Sequence, residues 1–269
     1  MNVERPDVNY SDQEIEQLEL IWGEGFLSPG GPQEVARIVG GHDIAGCSVL
    51  DIGSGPGGID LVLVRDSGAA SVVGVDVQQE FVDLATARAA SAGLTDRVSY
   101  RLIEPGSLPF ADASFDVVFS KDAIVHETDK EALYANALRV LRPGGHLLVG
   151  DWLRGEADAL DAQVAAFVEF TGNEFTMVSL QQVGEIVARA GFVDVETEDR
   201  RAWYLGEATG ELERLRGDVG AQLVERWGEQ AALAEIEFWE LLLECLASGA
   251  LSPGHVRARA PARPAFAST

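Results

Sequence analysis

Asp51 stands directly ahead of a run containing Gly53, Gly55, Gly57 and Gly58, and Asp76 closes the next short apolar run. Carboxylates at those two places can accept hydrogen bonds from ribose hydroxyls or pair with a cationic group. Glycines between them let the backbone take positive φ and admit a ligand where a Cβ would otherwise stand. The chemistry implied is the holding of a nucleoside-bearing molecule. Asp51 would repel an incoming pyrophosphate, and it suits a partner that carries an ammonium and a sulfonium. The competing readings give Asp51 to capping of the turn that follows and the glycines to a tight turn alone.

Such a site needs a strand that ends near Asp51 and a helix that starts at the last glycine. The apolar run Val49-Leu50 followed by Ile52 predicts a buried strand over 47–52, with a helix over 58–66. Strand-like and helix-like segments alternate from there. Strands are predicted over 71–76, 97–103, 115–120, 146–151 and 192–198, and helices over 79–92, 130–141, 158–170 and 180–190. Pro143-Gly144-Gly145 is expected to stop the helix over 130–141. This alternation predicts an α/β domain built on a parallel sheet. Residues 203–248 predict two long amphipathic helices broken near Gly228, and a short strand follows near 255–258. Trp227, Phe238, Trp239 and Leu241 to Leu243 are too apolar for a free helix face and must pack on the domain or on a second subunit. The expected organisation is an N-terminal helical lid over 1–44, a ligand-binding core over 45–202, a C-terminal helical cap with the last strand over 203–258, and a disordered tail over 259–269.

Composition narrows the partners. The chain has 269 residues, 46% of them hydrophobic, and a formal net charge of −24, with Lys121 and Lys130 its two lysines. Such a surface repels nucleic acid and anionic membrane, because phosphate neutralisation needs clustered Lys and Arg. It is compatible with salt adaptation or with plain solvation. No run of about 18 apolar residues and no signal-type apolar segment occurs, so a cytoplasmic protein is expected. Cys47 and Cys245 make neither a disulfide framework nor a metal spacing, and the four histidines are scattered, so no metal is expected. A glycine-rich turn after a strand fits both nicotinamide dinucleotides and S-adenosylmethionine, and Asp51 turns the choice toward the latter.

Val49 to Gly58, Asp76, Ser107-Leu108-Pro109-Phe110, Phe115-Asp116-Val117-Val118 and Leu141-Arg142-Pro143-Gly144-Gly145 resemble, in that order, the motifs of class I S-adenosylmethionine-dependent methyltransferases. The resemblance implies a doubly wound, seven-stranded, mostly parallel Rossmann-like sheet with its last strand antiparallel. It implies S-adenosyl-L-methionine as cofactor, held by Asp51, Gly53, Ser54, Gly55, Asp76, Val77, Glu104 and Pro105. Glu104 stands where the family usually has an aspartate near the adenine amino group.

A closer resemblance lies outside the core. Tyr10-Ser11-Asp12, the run from Ile21 to Gly31, and Ser120 to His126 are similar to the corresponding segments of phosphoethanolamine N-methyltransferases. Ser120 to His126 also resembles the matching segment of sarcosine/dimethylglycine methyltransferases. The resemblance implies that Tyr10 and His126 form a catalytic lid and acid–base pair, and that Leu27, Ser28 and Lys121, the last in place of an arginine, touch the cofactor. An amine nucleophile must be neutral to attack, and histidine titrates in the range needed to take its proton. Asp122 either binds the substrate ammonium or caps the next turn.

Where the family reads its phosphate, this chain departs. Glu169, Asn173 and Phe175 stand where the family has phosphate-holding tyrosines and an arginine, Trp152 replaces a further tyrosine, and no lysine follows Lys130. A phosphate dianion wants guanidinium or other fixed donors, which Arg200, Arg201, Arg257 or Arg259 would have to supply. The reading is a methyltransferase acting on the amine nitrogen of a small metabolite, as monomer or homodimer, with Asp122, Trp152, Glu169, Asn173 and Phe175 at the acceptor. The alternatives are O- or C-methylation of a larger natural product, and a non-catalytic S-adenosylmethionine-binding protein.

Overall fold

The structure is a computed structural model and describes residues 10–157, 160–172 and 175–262. Two helices, α1 (Asp12–Trp22) and α2 (Gly31–Val39), lead into β1 (Ser48–Ile52). Helices and strands then alternate through α3 (Gly58–Arg65), β2 (Ser71–Asp76), α4 (Gln79–Ser91), β3 (Val98–Leu102), β4 (Phe115–Lys121), α5 (Lys130–Val140) and β5 (Leu141–Asp151). After them come α6 (Asp161–Thr171), α7 (Leu180–Arg189), β6 (Val193–Asp199), α8 (Arg201–Leu215), α9 (Asp218–Trp227), α10 (Glu229–Ser248) and β7 (Gly254–Arg259).

The strands form one seven-stranded sheet in the order β3-β2-β1-β4-β5-β7-β6. Pairings among β1 to β5 are parallel, and β7 runs antiparallel to both β5 and β6. The sheet is therefore doubly wound, as expected, with its last strand antiparallel. Leu50, Val118, Leu147 and Val149 pack toward α5 and α7 on one face. Val49, Val117, Phe119 and Leu148 pack toward α2 and α3 on the other. Both faces being covered is why these strands read as continuous apolar runs rather than as alternations. A separate apolar core joins Ile21 of α1, Phe167 of α6, and α8, α9 and α10 around the fully buried Trp239 and Leu223.

Two local readings change. Pro143-Gly144-Gly145 ends α5 but does not separate it from the next strand, because β5 already begins at Leu141, paired with Phe115. The extra residues bulge and find partners from the last strand: Gly144 N–H donates to the Ala260 carbonyl and Ala260 N–H to that of Gly145. Arg259, expected in the tail, thus ends β7 between its two neighbouring strands, and Ala260 extends the pairing with β5. The cap holds three helices rather than two, since Gly217 breaks the first run as Gly228 breaks the second.

The antiparallel edge is fastened by a buried charge cluster. Glu34 of α2 is fully buried and takes both a two-pronged contact from Arg200, at 3.1 and 2.8 Å, and His255 Nε2 at 2.7 Å. Those donors hold its carboxyl below its ordinary value despite the burial that opposes them.

Candidate active site

β1 delivers Asp51 to the sheet's carboxyl edge, and the period of two that buries Val49 on the α2/α3 face puts Asp51 on that face too. Asp60, in the first turn of α3, is equally buried, and neither carboxylate has a hydrogen-bond partner among the described residues. The two carboxylates are neighbours close enough to act on each other, with the Tyr100 hydroxyl beside Asp60. Burial raises both, Asp51 well above the carboxylate range and Asp60 to about 7. The pair therefore holds protons that a nearby cation would displace.

Between β1 and α3 the turn is pinned from β2. Gly53 N–H donates to the Val75 carbonyl at 2.8 Å, Gly55 N–H to Asp76 Oδ2 at 2.9 Å, and Gln78 N–H to Asp76 Oδ1 at 3.0 Å. Gly53 has φ of +75° and backs onto Ala123, so a side chain there would collide. Gly55, at φ +51°, faces open space instead. The buried Ser54 Oγ beside it has no partner among the described residues. A cradle with orphaned acceptors and an open glycine fits an ammonium-bearing nucleoside. It fits a pyrophosphate poorly, because the Gly58 N–H at the start of α3 is already given to the Gly25 carbonyl at 3.2 Å.

That contact belongs to a clasp. Gly25 N–H donates to Glu19 Oε1 at 2.9 Å, and Arg88 of α4 bonds the same oxygen at 2.7 Å while also reaching the Pro56 carbonyl. The N-terminal segment is thereby laid over the glycine-rich turn. Tyr10 packs on Phe81 of α4, with ring centroids 5.8 Å apart. Burial raises its hydroxyl pKa, helped by the charges of Glu14, Asp76 and Asp122.

A second group gathers at the ends of β4 and β5, beside the point where strand order reverses between β1 and β4. Lys121 Nζ, buried, donates to Ser28 Oγ and Asp122 Oδ2, both at 2.5 Å. Asp122 adopts φ of +55°, unusual for a residue with a Cβ, and its Oδ1 is buried without a partner among the described residues. Parallel pairing of Lys121 with Gly150 brings Asp151 next to Asp122. Burial, opposed by Lys130, pushes Asp151 up to about 8. His126 ends a short 3-10 turn over Ile124–His126 and stacks 5.0 Å from Phe175, whose neighbour Thr176 donates to the Val125 carbonyl.

The candidates from the sequence divide accordingly. Tyr10, Leu27, Ser28, Trp152 and Phe175 border one cavity of about 280 Å³ beneath the helical cap. Lys121 reaches that cavity's wall through Ser28, with its charge taken up by Asp122. The Tyr10 and His126 rings stand against different aromatic partners, Phe81 and Phe175. Val77, Glu104 and Pro105 are exposed beyond β2 and β3, and Glu169 is exposed on α6. Asn173 lies outside the described residues.

Asp60, Glu14 and Glu235 are acidic residues of the site that were not singled out from the sequence. Asp60 had a signal, a lone carboxylate inside the apolar run Gly-Ile-Asp-Leu-Val-Leu-Val. Glu14 and Glu235, which both border the cavity, had none, each being one acid among many on its helix.

A family model described as a methyltransferase domain matches residues 43–203. The chain is similar to phosphoethanolamine N-methyltransferase 1 of Arabidopsis thaliana, at 31% identity over 78% of this chain and 42% of the relative. It is likewise similar to phosphoethanolamine N-methyltransferase 2 of Caenorhabditis elegans, at 31% identity over 81% of this chain and 50% of the relative. Among solved structures it is similar to phosphoethanolamine N-methyltransferase 2 of Haemonchus contortus in complex with phosphomonomethylethanolamine and S-adenosylhomocysteine. That match has a TM-score of 0.84 and 27% identity, and it covers 94% of this chain and 58% of the other. The chain spans half or less of the length of these two sequence relatives.

Proposed function

We propose a function from one premise: this chain belongs to the methyltransferase-domain family. It acts as an S-adenosylmethionine-dependent methyltransferase on the amine nitrogen of a small metabolite. The observation that carries the reading is the cradle of Asp51, Ser54, Gly55 and Asp76, which offers buried acceptors and open backbone to a nucleoside bearing an ammonium.

Asp51 and the Gly53 to Gly55 backbone would hold the amino-acid end of the donor, Asp76 and Val77 its ribose, and Glu104 and Pro105 its base. Leu27 and Ser28, on the segment clasped to the turn by Glu19 and Arg88, would close over it. When bound, the donor supplies an electrophilic methyl group on a sulfonium that departs as a neutral thioether once the amine lone pair attacks. Little covalent assistance is needed, and positioning does most of the work. On this reading Asp122 Oδ1 accepts from the amine N–H and fixes its direction. His126 takes the proton that the nitrogen must lose, and Tyr10 covers the site and excludes water. The Lys121 contact ties down Asp122 Oδ2 beside its unusual backbone conformation.

Calorimetry with S-adenosylhomocysteine and with NAD tests the cofactor class, and tight binding of NAD alone would sink this account. An amine and phenol screen read by S-adenosylhomocysteine release then tests the acceptor atom. Loss of about 100-fold or more in kcat is expected for His126→Ala, with a smaller loss for Tyr10→Phe. If both variants retain full turnover of a confirmed substrate, the pair has no catalytic role. The aromatic walls of the acceptor cavity favour one second reading, O- or C-methylation of a larger apolar acceptor. That reading predicts that phenols or carbon acids outrun every amine in the same screen.

A further inference from the structure

We propose that the acceptor is an unphosphorylated amine on an apolar or aromatic frame, selected by the aromatic walls of the cavity under the cap and by the carboxylate of Glu235. The inference rests on the methyltransferase reading above and adds the substrate class.

The cavity lies between α1 and the cap, and Trp22, Trp152, Phe167, Phe175 and Phe238 supply its apolar walls. Its volume of about 280 Å³ falls just under the range of roughly 300–1,000 Å³ common for drug-sized ligands, so a compact molecule is indicated. Its ionisable lining side chains are Tyr10, Glu14 and Glu235, with no arginine, lysine or histidine among them. Glu14 is tied to its own helix, since Oε2 accepts from Ser11 N–H and Ser11 Oγ, both at 2.7 Å. Glu235 has no hydrogen-bond donor among the described residues. Burial and the Glu14 charge raise it to about 7, so a bound cation would draw it into the ionised form. Aromatic faces beside an anionic group are a setting in which an organic ammonium is favoured.

The same walls argue against a phosphate dianion, which needs guanidinium or clustered donors. Every arginine that might have substituted is engaged elsewhere. Arg200 is spent on Glu34, Arg257 on Glu198 and the Ile38 carbonyl, and Arg259 on Asp194. The Arg201 guanidinium lies against Gly249 at the far end of α10.

The test uses the full chain loaded with S-adenosylhomocysteine for binding, and with S-adenosylmethionine for turnover. Phosphoethanolamine is compared with ethanolamine and with phenethylamine, tryptamine and hexylamine, and toluene serves as an uncharged frame. At least one apolar amine should exceed phosphoethanolamine in kcat/KM by about 100-fold, the scale on which an unpaired charge in an apolar site is rejected. Glu235→Gln should raise the KM of that amine about tenfold with kcat nearly unchanged, the signature of lost ground-state binding. Affinity for S-adenosylhomocysteine should not move in that variant. Preferred turnover of phosphoethanolamine overturns the inference, as does tight binding of toluene in preference to the amines. An unchanged KM in Glu235→Gln, or failure of every apolar amine to bind the loaded protein, overturns it too. Failure of S-adenosylhomocysteine itself to bind would instead remove the methyltransferase reading beneath it.

Discussion

Asp60 and Asp51 show how a residue can store binding chemistry at the expense of stability. Both are buried, both lack partners among the described residues, and Asp60 sits at about 7 against an ordinary 3.8. The folded state therefore holds protons that the unfolded chain has lost. Stability is fully present below about pH 4 and declines as pH rises through about 7. Asp60→Asn removes the share of that dependence that Asp60 contributes and is expected to stabilise the ligand-free chain by on the order of 2 kcal/mol at pH 8, read by denaturant midpoints across a pH series. A flat difference between the two proteins from pH 5 to pH 8 would refute it. Binding of S-adenosylhomocysteine, whose ammonium favours ionised carboxylates, should release protons near pH 7. Calorimetry in buffers of different ionisation enthalpy measures that release.

At the scale of elements, the cap and the lid are joined by one acid. Glu211 of α8 accepts from Trp22 Nε1 of α1 at 2.7 Å and from Trp239 Nε1 of α10 at 3.0 Å. Glu211→Ala strands both indole N–H groups and is expected to cost about 2–4 kcal/mol, measured by urea unfolding. The clasp at Arg88 is a separate device. It ties α1 to α4 and to the glycine-rich turn through Glu19 and the Pro56 carbonyl, with both charged side chains largely buried. Arg88→Ala should hasten proteolysis within residues 12–30 and weaken S-adenosylhomocysteine binding about tenfold while leaving far-UV ellipticity intact. Equal protease resistance in the two proteins would mean the segment is held by its apolar contacts alone.

For the molecule as a whole, charge and anchoring dominate. A net charge of −24 is self-repulsive, so added salt should raise the melting temperature as the screening length falls from about 10 Å at 0.1 M to about 3 Å at 1 M. A melting temperature unmoved or lowered by sodium chloride would show that local pairs outweigh the overall field. The Glu34–Arg200–His255 cluster links α2 to the antiparallel edge at β7 and to the start of α8. Arg200→Ala leaves Glu34 without its two-pronged partner and should destabilise the fold by about 3–5 kcal/mol. Because Glu34 is held below its ordinary value, its contribution is present above about pH 4.5 and lost as pH falls further. Among the described residues no helix is long and apolar enough to cross a membrane.

Much of the fold was legible because its signals are short-range. β1, β2 and β4 are brief apolar runs closed by turns, and β2 runs from Ser71 to Asp76, the span expected from its sequence. Pro143-Gly144-Gly145 was read correctly as a helix stop, but the strand start at Leu141 depends on Phe115 and Ala260, which no local pattern reports. The glycine-rich turn was legible for the same reason. Asp51, the glycines and Asp76 lie within one strand–turn–helix–strand unit, and it is the residue type at Asp51, rather than the spacing, that favours S-adenosylmethionine over a dinucleotide. The sequence by itself thus determined the parallel strands and the glycine-rich turn between β1 and α3. Tertiary structure decided the rest. Gly25 had to arrive from outside the core to take the Gly58 N–H, and the Asp51–Asp60 pair formed only once α3 packed on β1. The cavity under the cap draws walls from α1, α6 and α10, far apart along the chain, so the polarity of Glu235's surroundings exists only after those helices meet. A carboxylate's chemistry follows from what is buried beside it, and long-range packing sets that.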